Sequence, residues 1–179
     1  GLLTRLCRSS REIAEDLGKS VECDFTFDGV ALSSAELLLV NQIGSHLMRN
    51  AIDHGIEPAE VRRSSGKTSS GSFRFRLSAD DESLVLVAED DGAGIDLEAL
   101  KSKAISCGGI KADADLTRDE MIRLIFLPDF STKETVTEIS GRGIGMEAVN
   151  DLVSSVNGSI EISTDSGVGT TFTVSLPRS

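Results

Sequence analysis

His46-Leu47-Met48-Arg49-Asn50-Ala51-Ile52-Asp53-His54-Gly55 is the stretch on which the fold reading turns. At 3.6 residues per turn, His46, Arg49, Asn50 and Asp53 stack along one helix face. The opposite face carries Val40, Ile43, Leu47 and Ala51. Such a helix packs into a core with one side and presents an imidazole, a guanidinium, an amide and a carboxylate to a cleft with the other. An ordinary amphipathic helix with a solvated polar face has the same pattern, so the segments downstream have to decide. The helix reads as covering about 34–54, stopped at Gly55 with Pro58 beyond.

Two glycine-rich segments follow. Glu89-Asp90-Asp91-Gly92-Ala93-Gly94-Ile95-Asp96 comes directly after Ser83-Leu84-Val85-Leu86-Val87-Ala88, an apolar run that reads as a buried strand. A carboxylate at a strand end, followed by Gly92 and Gly94, suits a flat ligand approaching the backbone, and Asp90 can accept a hydrogen bond from an exocyclic amine such as adenine N6. The second segment, Ser140-Gly141-Arg142-Gly143-Ile144-Gly145-Met146-Glu147-Ala148-Val149, leads into a helical pattern of Met146, Val149, Leu152, Val153 and Val156. Loop amides and the positive end of a helix suit phosphate oxygens. Taken singly, either loop also reads as a plain turn, because Asp-Gly pairs are turn formers.

Elsewhere, Leu3, Leu6, Ile13 and Leu17 predict an opening helix, and Val21, Cys23, Phe25 and Phe27 alternate as a strand. A Ser- and Gly-rich link is expected over 64–72. Phe73, Phe75 and Leu77 alternate with Arg74 and Arg76, giving a strand that pairs with 84–88 and turns its arginines to solvent. Helical patterns over 96–106 and 117–126 bracket Gly108-Gly109. The stretch 127–140 lacks sustained periodicity and reads as part of a mobile lid spanning roughly 108–140. Ser159-Ile160-Glu161-Ile162 and Thr171-Phe172-Thr173-Val174-Ser175-Leu176 are two strands joined through a Gly-bearing turn.

Composition sets outer bounds. With 179 residues and 39% apolar content, one domain over 1–179 is expected. A net charge of −11 argues against nucleic acid or an anionic membrane as partner, since phosphate contacts need basic surface. Cys7, Cys23 and Cys107 are too scattered for a zinc spacing and read as reduced, mostly buried thiols of a cytoplasmic protein. No apolar run is long enough for a transmembrane helix, so no membrane insertion is expected.

In order along the chain, Glu15-Asp16-Leu17-Gly18-Lys19-Ser20-Val21-Glu22, His46 to Glu57, Asp90 to Asp96, Phe126 to Lys133, Ser140 to Met146 and Gly167-Val168-Gly169-Thr170-Thr171-Phe172 resemble a known set of boxes. They are similar to those of the GHKL or Bergerat-fold ATPases and, within that family, of the ATP-binding catalytic domain of CheA-type chemotaxis histidine kinases. The strings Arg49-Asn50-x-x-Asp53-His54-Gly55-Ile56-Glu57 and Phe130-Ser131-Thr132-Lys133 point to the CheA type. The gyrase, MutL and ordinary sensor-kinase branches place a carboxylate near the Asn instead. The resemblance implies an α/β (α+β) two-layer sandwich, with a mixed, mostly antiparallel sheet covered on one face by helices and an ATP lid.

It also implies roles. Asn50 matches the amide that ligates Mg²⁺ bridging the ATP phosphates, as a hard cation with oxygen donors would require. Asp90 matches the adenine-reading carboxylate, with Gly92, Gly94 and Ile95 beside the ring. Lys103 and Lys133 match phosphate-facing cations, while Ser131, Thr132, Gly141, Arg142, Gly143, Ile144, Gly145 and Met146 match the lid and loop closing over the triphosphate. Thr170 falls near the end of the pocket, and His46, Arg49, Asp53 and His54 match polar positions around the γ-phosphate and incoming substrate.

The implied activity is transfer of the ATP γ-phosphate to a histidine. His46 and His54 are the chain's two histidines and both fall in the implied pocket, so the acceptor is expected on a separate phosphotransfer domain. The resemblance further implies dimerisation and regulatory domains in a parent kinase, an adaptor or coupling protein and a receptor, a response regulator downstream, and a monomeric isolated domain. Departures from the pattern are Asp129 for the F-box Gly, Ala99 for a phosphate-side Lys, Asn41-Gln42-Ile43 for Asp-Pro, and Glu147 for Asp. They motivate an alternative, a nucleotide-binding regulatory module with weak or no kinase activity. A gyrase- or MutL-type clamp requires a carboxylate base before Asn50, where Arg49 stands.

Overall fold

The structure, a computed structural model, describes residues 1–128 and 145–178. In order, the elements are α1 (Leu2–Asp16), β1 (Val21–Gly29), α2 (Ser34–Asn50), a π-helical turn (Ala51–Gly55), α3 (Ala59–Ser64), β2 (Gly71–Ala79), β3 (Ser83–Asp90), α4 (Leu97–Ser106), α5 (Arg118–Arg123), a 3₁₀ turn (Leu124–Phe126), α6 (Met146–Ser155), β4 (Ser159–Asp165) and β5 (Gly169–Pro177). They fall into two compact units, residues 1–95 with 152–179, and residues 96–151.

The first unit holds a five-stranded sheet in the order β1-β2-β3-β5-β4. β1 runs parallel to β2, and the β2–β3, β3–β5 and β4–β5 pairs are antiparallel, giving the mixed, mostly antiparallel sheet expected. The period-2 alternation sorts the strands into two faces. Phe73, Phe75 and Leu77 of β2, Leu84, Leu86 and Ala88 of β3, and Phe172, Val174 and Leu176 of β5 are buried with Leu6 of α1 and Val40, Ile43 and Leu47 of α2. On the other face Arg74 and Arg76 are exposed, each 3.4 Å from Glu89. The helix layer therefore covers one side of the sheet, as the α/β reading expects.

α2 is anchored at both ends. Ser33 and Glu36 form a capping box, in which the Ser33 N–H donates to Glu36 Oε2 at 2.6 Å. Arg178, just past β5, donates through Nε to the other oxygen of Glu36 at 2.6 Å and through Nη2 to the Ala31 carbonyl at 2.9 Å. The Arg178 hydrogen bond, with the Ser33 N–H second, holds the Glu36 carboxyl down at about 2. At its other end the helix does not stop as regular α structure. Its last residues widen into the π turn over Ala51–Gly55, where the Ile56 N–H donates to the Ala51 carbonyl at 2.7 Å. The side chain of Lys19 closes this end, donating to the carbonyls of Ile52 at 2.8 Å and Asp53 at 2.7 Å.

Several local expectations are corrected. Residues 59–64 form α3, a helix too short behind Pro58 to show a helical period, and β2 already starts at Gly71, so the link expected over 64–72 is trimmed at both ends to 65–70. None of the three cysteines is buried: Cys7 and Cys23 are half-buried where α1 meets the edge strand β1, and Cys107 is exposed at the end of α4.

In the second unit, the described part of the expected lid is irregular up to Thr117 and helical from Arg118 to Phe126, and it shares a small core with α4. Ala104 and Leu124 are buried there, packed by Leu100, Ile110, Leu116 and Leu127. Thr117 and Glu120 form a second capping box at the start of α5. Residues 129–140 of the expected lid lie outside the described residues. Among the described residues no helix is long and apolar enough to cross a membrane.

Candidate functional site

β3 ends at Asp90 and β5 begins at Gly169, so the Asp90–Thr170 pair closes the β3–β5 ladder. Asp90 is 8% exposed, and its carboxylate lies against a wall formed by the π turn. A Cβ built on Gly55 would stand 3.2 Å from Asp90 Oδ1, so any side chain there would press on the carboxylate. Gly92 is still more confined: a Cβ there would lie 2.1 Å from the Gly55 carbonyl oxygen. That contact is forbidden, and glycine is the residue that permits the turn.

The Gly92 N–H donates to Asp90 Oδ1 at 2.9 Å, and the Ala93 N–H donates to the Gly55 carbonyl at 2.9 Å. Burial pushes the Asp90 carboxyl up to about 6. The N–H groups of Gly92 and Thr170 pull it down, and the nearby Asp91 and Glu57 push it up again. A buried carboxylate with a raised pKa at a strand end is costly to the fold and points to a binding role.

Behind it, Thr164 Oγ1 accepts from the Ile95 N–H at 2.8 Å and lies 3.1 Å from Thr170 Oγ1. The Gly167 N–H donates to the Ala93 carbonyl at 2.8 Å, tying the β4–β5 turn to the same loop.

The outer side of the Asp91–Gly92 turn is held by charge. Arg62, 1% exposed, donates through Nη2 to Asp91 Oδ2 at 2.8 Å and through Nη1 to Glu57 Oε2 at 2.9 Å. Lys67 Nζ donates to Glu57 Oε1 at 2.8 Å and to the carbonyls of Asp91 at 2.8 Å and Gly92 at 2.7 Å. The Ser72 N–H completes Asp91 by donating to Oδ1 at 2.8 Å. Burial raises the Glu57 carboxyl, but the bonds from Lys67 and Arg62 outweigh it and leave the group below its ordinary value.

Of the residues proposed from sequence, the structure gathers Asp90, Gly92, Ile95 and Thr170 around one strand end, with Gly94 in the same loop. Asn50 closes α2, half-buried, with His46 one turn earlier and Arg49 exposed. Asp53 and His54 sit in the π turn, 3.8 Å apart, so Asp53 leaves the 3.6-residue register that aligned it with Asn50. His46 is pushed below its ordinary pKa by burial and then by Arg49, which keeps its imidazole neutral at pH 7.

Lys103 lies on α4, and Gly145 and Met146 lie at the start of α6, within the second unit. Ser131, Thr132, Lys133, Gly141, Arg142, Gly143 and Ile144, like Asp129, lie outside the described residues. Sequence reading missed Lys19, Glu57, Arg62, Lys67, Asp91 and Thr164 as builders of the site. The one sequence signal for the charged set is Arg62 and Lys67 following Glu57 within a short segment.

Comparison with known proteins shows the family to which the chain belongs. Residues 35–179 match the family described as "Histidine kinase-, DNA gyrase B-, and HSP90-like ATPase". A chemotaxis protein CheA of Halobacterium salinarum is 37% identical over 172 residues, covering 95% of this chain and 26% of that protein. The gliding motility regulatory protein of Myxococcus xanthus is 40% identical, covering 96% and 22% respectively. A sensor histidine kinase CheAY of Helicobacter pylori is 39% identical, covering 95% and 21%. The chain thus spans about a quarter of the length of these relatives. In fold it is similar to the histidine kinase domain of the Erythrobacter litoralis EL346 blue-light activated histidine kinase, at TM-score 0.56 and 18% identity, covering 98% of this chain and 60% of that one.

Proposed function

Because the chain belongs to the histidine kinase-, DNA gyrase B- and HSP90-like ATPase family, we propose that it is the ATP-binding catalytic domain of a CheA-like sensor histidine kinase. It moves the γ-phosphate of ATP to a histidine on a separate phosphotransfer domain. The observation that carries the reading is Asp90, a buried carboxylate at a strand end, held by the Gly92 N–H and walled by Gly55. Asp90 accepts a hydrogen bond from the exocyclic amine of adenine, and a buried acceptor of this kind rejects bases that lack the donor.

Mg²⁺ is expected with the nucleotide, and the donor set fits one mode of binding. Among the described residues no group of three His, Cys, Asp or Glu side chains could cage an ion. A single amide oxygen, from Asn50 on the last turn of α2, suits an ion whose other ligands are phosphate oxygens and water. When bound, the ion neutralises phosphate charge.

For transfer to a neutral imidazole no strong base is needed, since the attacking nitrogen already carries a lone pair. His46, kept neutral by burial, orients the incoming ring or passes a proton, and the exposed Arg49 supplies positive charge beside the phosphates. Dimerisation and regulatory domains, an adaptor or coupling protein and receptor, and a response regulator complete the proposed pathway, set in the cytoplasm.

The test is to add γ-labelled ATP to the chain together with the parent's phosphotransfer domain. An acid-labile, base-stable phosphohistidine is the expected product. Nucleotide binding with no label on the acceptor would leave a regulatory module in place of a kinase.

The proposal also carries a pH dependence. Asp90 binds the amine in its ionised form, and burial has raised its pKa to about 6. Protons and nucleotide therefore compete: affinity is at its full value above that pH and falls as the pH drops through it, approaching a tenfold loss per unit. Because the triphosphate itself titrates nearby, the measurement compares ATP with purine riboside 5′-triphosphate, which lacks the exocyclic amine. The ratio of the two affinities is expected to shrink below about pH 6. A ratio constant from pH about 5 to about 8 would remove Asp90 from base recognition.

A further inference from the structure

We propose that Lys67, with Arg62 and Glu57, is a positioning clamp that sets base selectivity from outside the pocket by fixing the direction of two peptide planes in the Asp90–Ala93 turn. In a trans peptide the C=O and the N–H of the following residue point in opposite directions. Lys67 Nζ draws the Asp91 carbonyl to 2.8 Å and the Gly92 carbonyl to 2.7 Å. The N–H groups of those two peptides belong to Gly92 and Ala93, so both must face away from Lys67. They meet Asp90 Oδ1 and the Gly55 carbonyl, each at 2.9 Å. One ammonium thus holds both peptides, the one whose N–H aims the Asp90 carboxylate and the one whose N–H joins the turn to the π turn, with Arg62 Nη1 as a second donor to the first of them.

The clamp is itself held in place. Glu57 takes Lys67 on Oε1 and Arg62 on Oε2, while Arg62 takes the Asp91 carbonyl at 3.2 Å and the carboxylate Oδ2 at 2.8 Å. Arg62 also donates from Nε to the Thr68 carbonyl at 2.8 Å, fixing the loop that delivers Lys67. Two cations and two carboxylates form a neutral set, at a site where the arginine is fully buried. Burying such a set gives little net stability over an apolar replacement, so its value lies in geometry. Gly92 has no side chain to restrict its backbone, and without the ammonium its peptide can turn over.

The inference rests on the reading of Asp90 as the adenine acceptor, and its test separates the two. Dissociation constants of the 179-residue chain are measured by calorimetry for ATP and for purine riboside 5′-triphosphate. The wild type is expected to prefer ATP. Lys67→Met is expected to weaken ATP binding by about 10-fold, the value of one well-aimed charged hydrogen bond, while changing purine riboside triphosphate by less than about 2-fold. Lys67→Arg, which keeps the charge and several donors, is expected to restore most of the preference.

A Lys67→Met loss that falls equally on both nucleotides, or on neither, overturns the clamp, because a merely structural lysine would not distinguish them. Should Lys67→Met lose its cooperative unfolding transition, Glu57→Gln, which slackens the hold on Lys67, is read in its place. It is expected to show the same selective loss, and an equal loss on both nucleotides again overturns the clamp. A wild-type chain with no preference for ATP is a different failure: it removes the Asp90 reading, and the clamp with it.

Discussion

Replacing Arg62 with methionine is expected to lower the free energy of unfolding by about 3–5 kcal/mol, which in urea denaturation appears as a large fall in the midpoint. The guanidinium is 1% exposed and makes bonds to Glu57, Asp91 and the Thr68 carbonyl. Methionine fills similar volume but satisfies none of them. Asp91, whose side chain is 42% exposed, recovers part of its loss from water. Glu57, at 12%, has little access to water and keeps Lys67 as its one cation, so most of the penalty falls on it. The double variant Arg62→Met with Glu57→Met, which removes the stranded carboxylate, is expected to be more stable than Arg62→Met alone. A single variant within about 0.5 kcal/mol of the wild type would mean that the buried set does not brace the loop.

Replacing Asn50 with alanine is expected to act on chemistry and leave the fold intact. Asn50 is the last residue of α2, half-buried, and alanine is the better helix former there. Stability should therefore hold or rise slightly. Loss of the amide oxygen that is proposed to hold the phosphate-bound cation should lower the rate of phosphohistidine formation at saturating ATP by about 10²–10³-fold, the usual cost of removing one preorganised electrostatic contact. Rates measured on the phosphotransfer domain at several Mg²⁺ concentrations check this. A variant that transfers phosphate at the wild-type rate would remove Asn50 from the site. For His46 the same assay applies: full transfer by His46→Gln would assign its imidazole to packing alone.

What could be read from the sequence was what repeats with a period or stands beside a chemical landmark. Phe73, Phe75 and Leu77 announced β2, the run ending at Ala88 announced β3, and Asp90 followed it at the strand end, where the structure places it. The capping boxes at Ser33–Glu36 and Thr117–Glu120 were also present as spaced side chains.

The rest depends on encounters that spacing does not encode. The π turn inserts a residue into the helical register without any residue type that demands it, so Asp53 was aligned with Asn50 although it belongs to the wider turn. Arg62 and Asp91 stand 29 residues apart and meet only once β3 has returned alongside β2, so spacing along the chain does not pair them. Lys19, between α1 and β1, reaches the carbonyl of Ile52 from 33 residues away, again a contact that local spacing does not encode. The cysteines were placed by residue type, which favours burial, but β1 is an edge strand and leaves its thiol half open.

The dissociation constant of ATP for the wild-type chain and for Asp90→Asn, determined by calorimetry in Mg²⁺ well above pH 6, bears most directly on the claim that this strand-end carboxylate reads adenine. Exchange of the carboxylate for an amide removes a charged hydrogen bond of about 1.5–3 kcal/mol, so the affinity should fall by roughly 10- to 150-fold. Equal affinities for the two proteins would contradict the account.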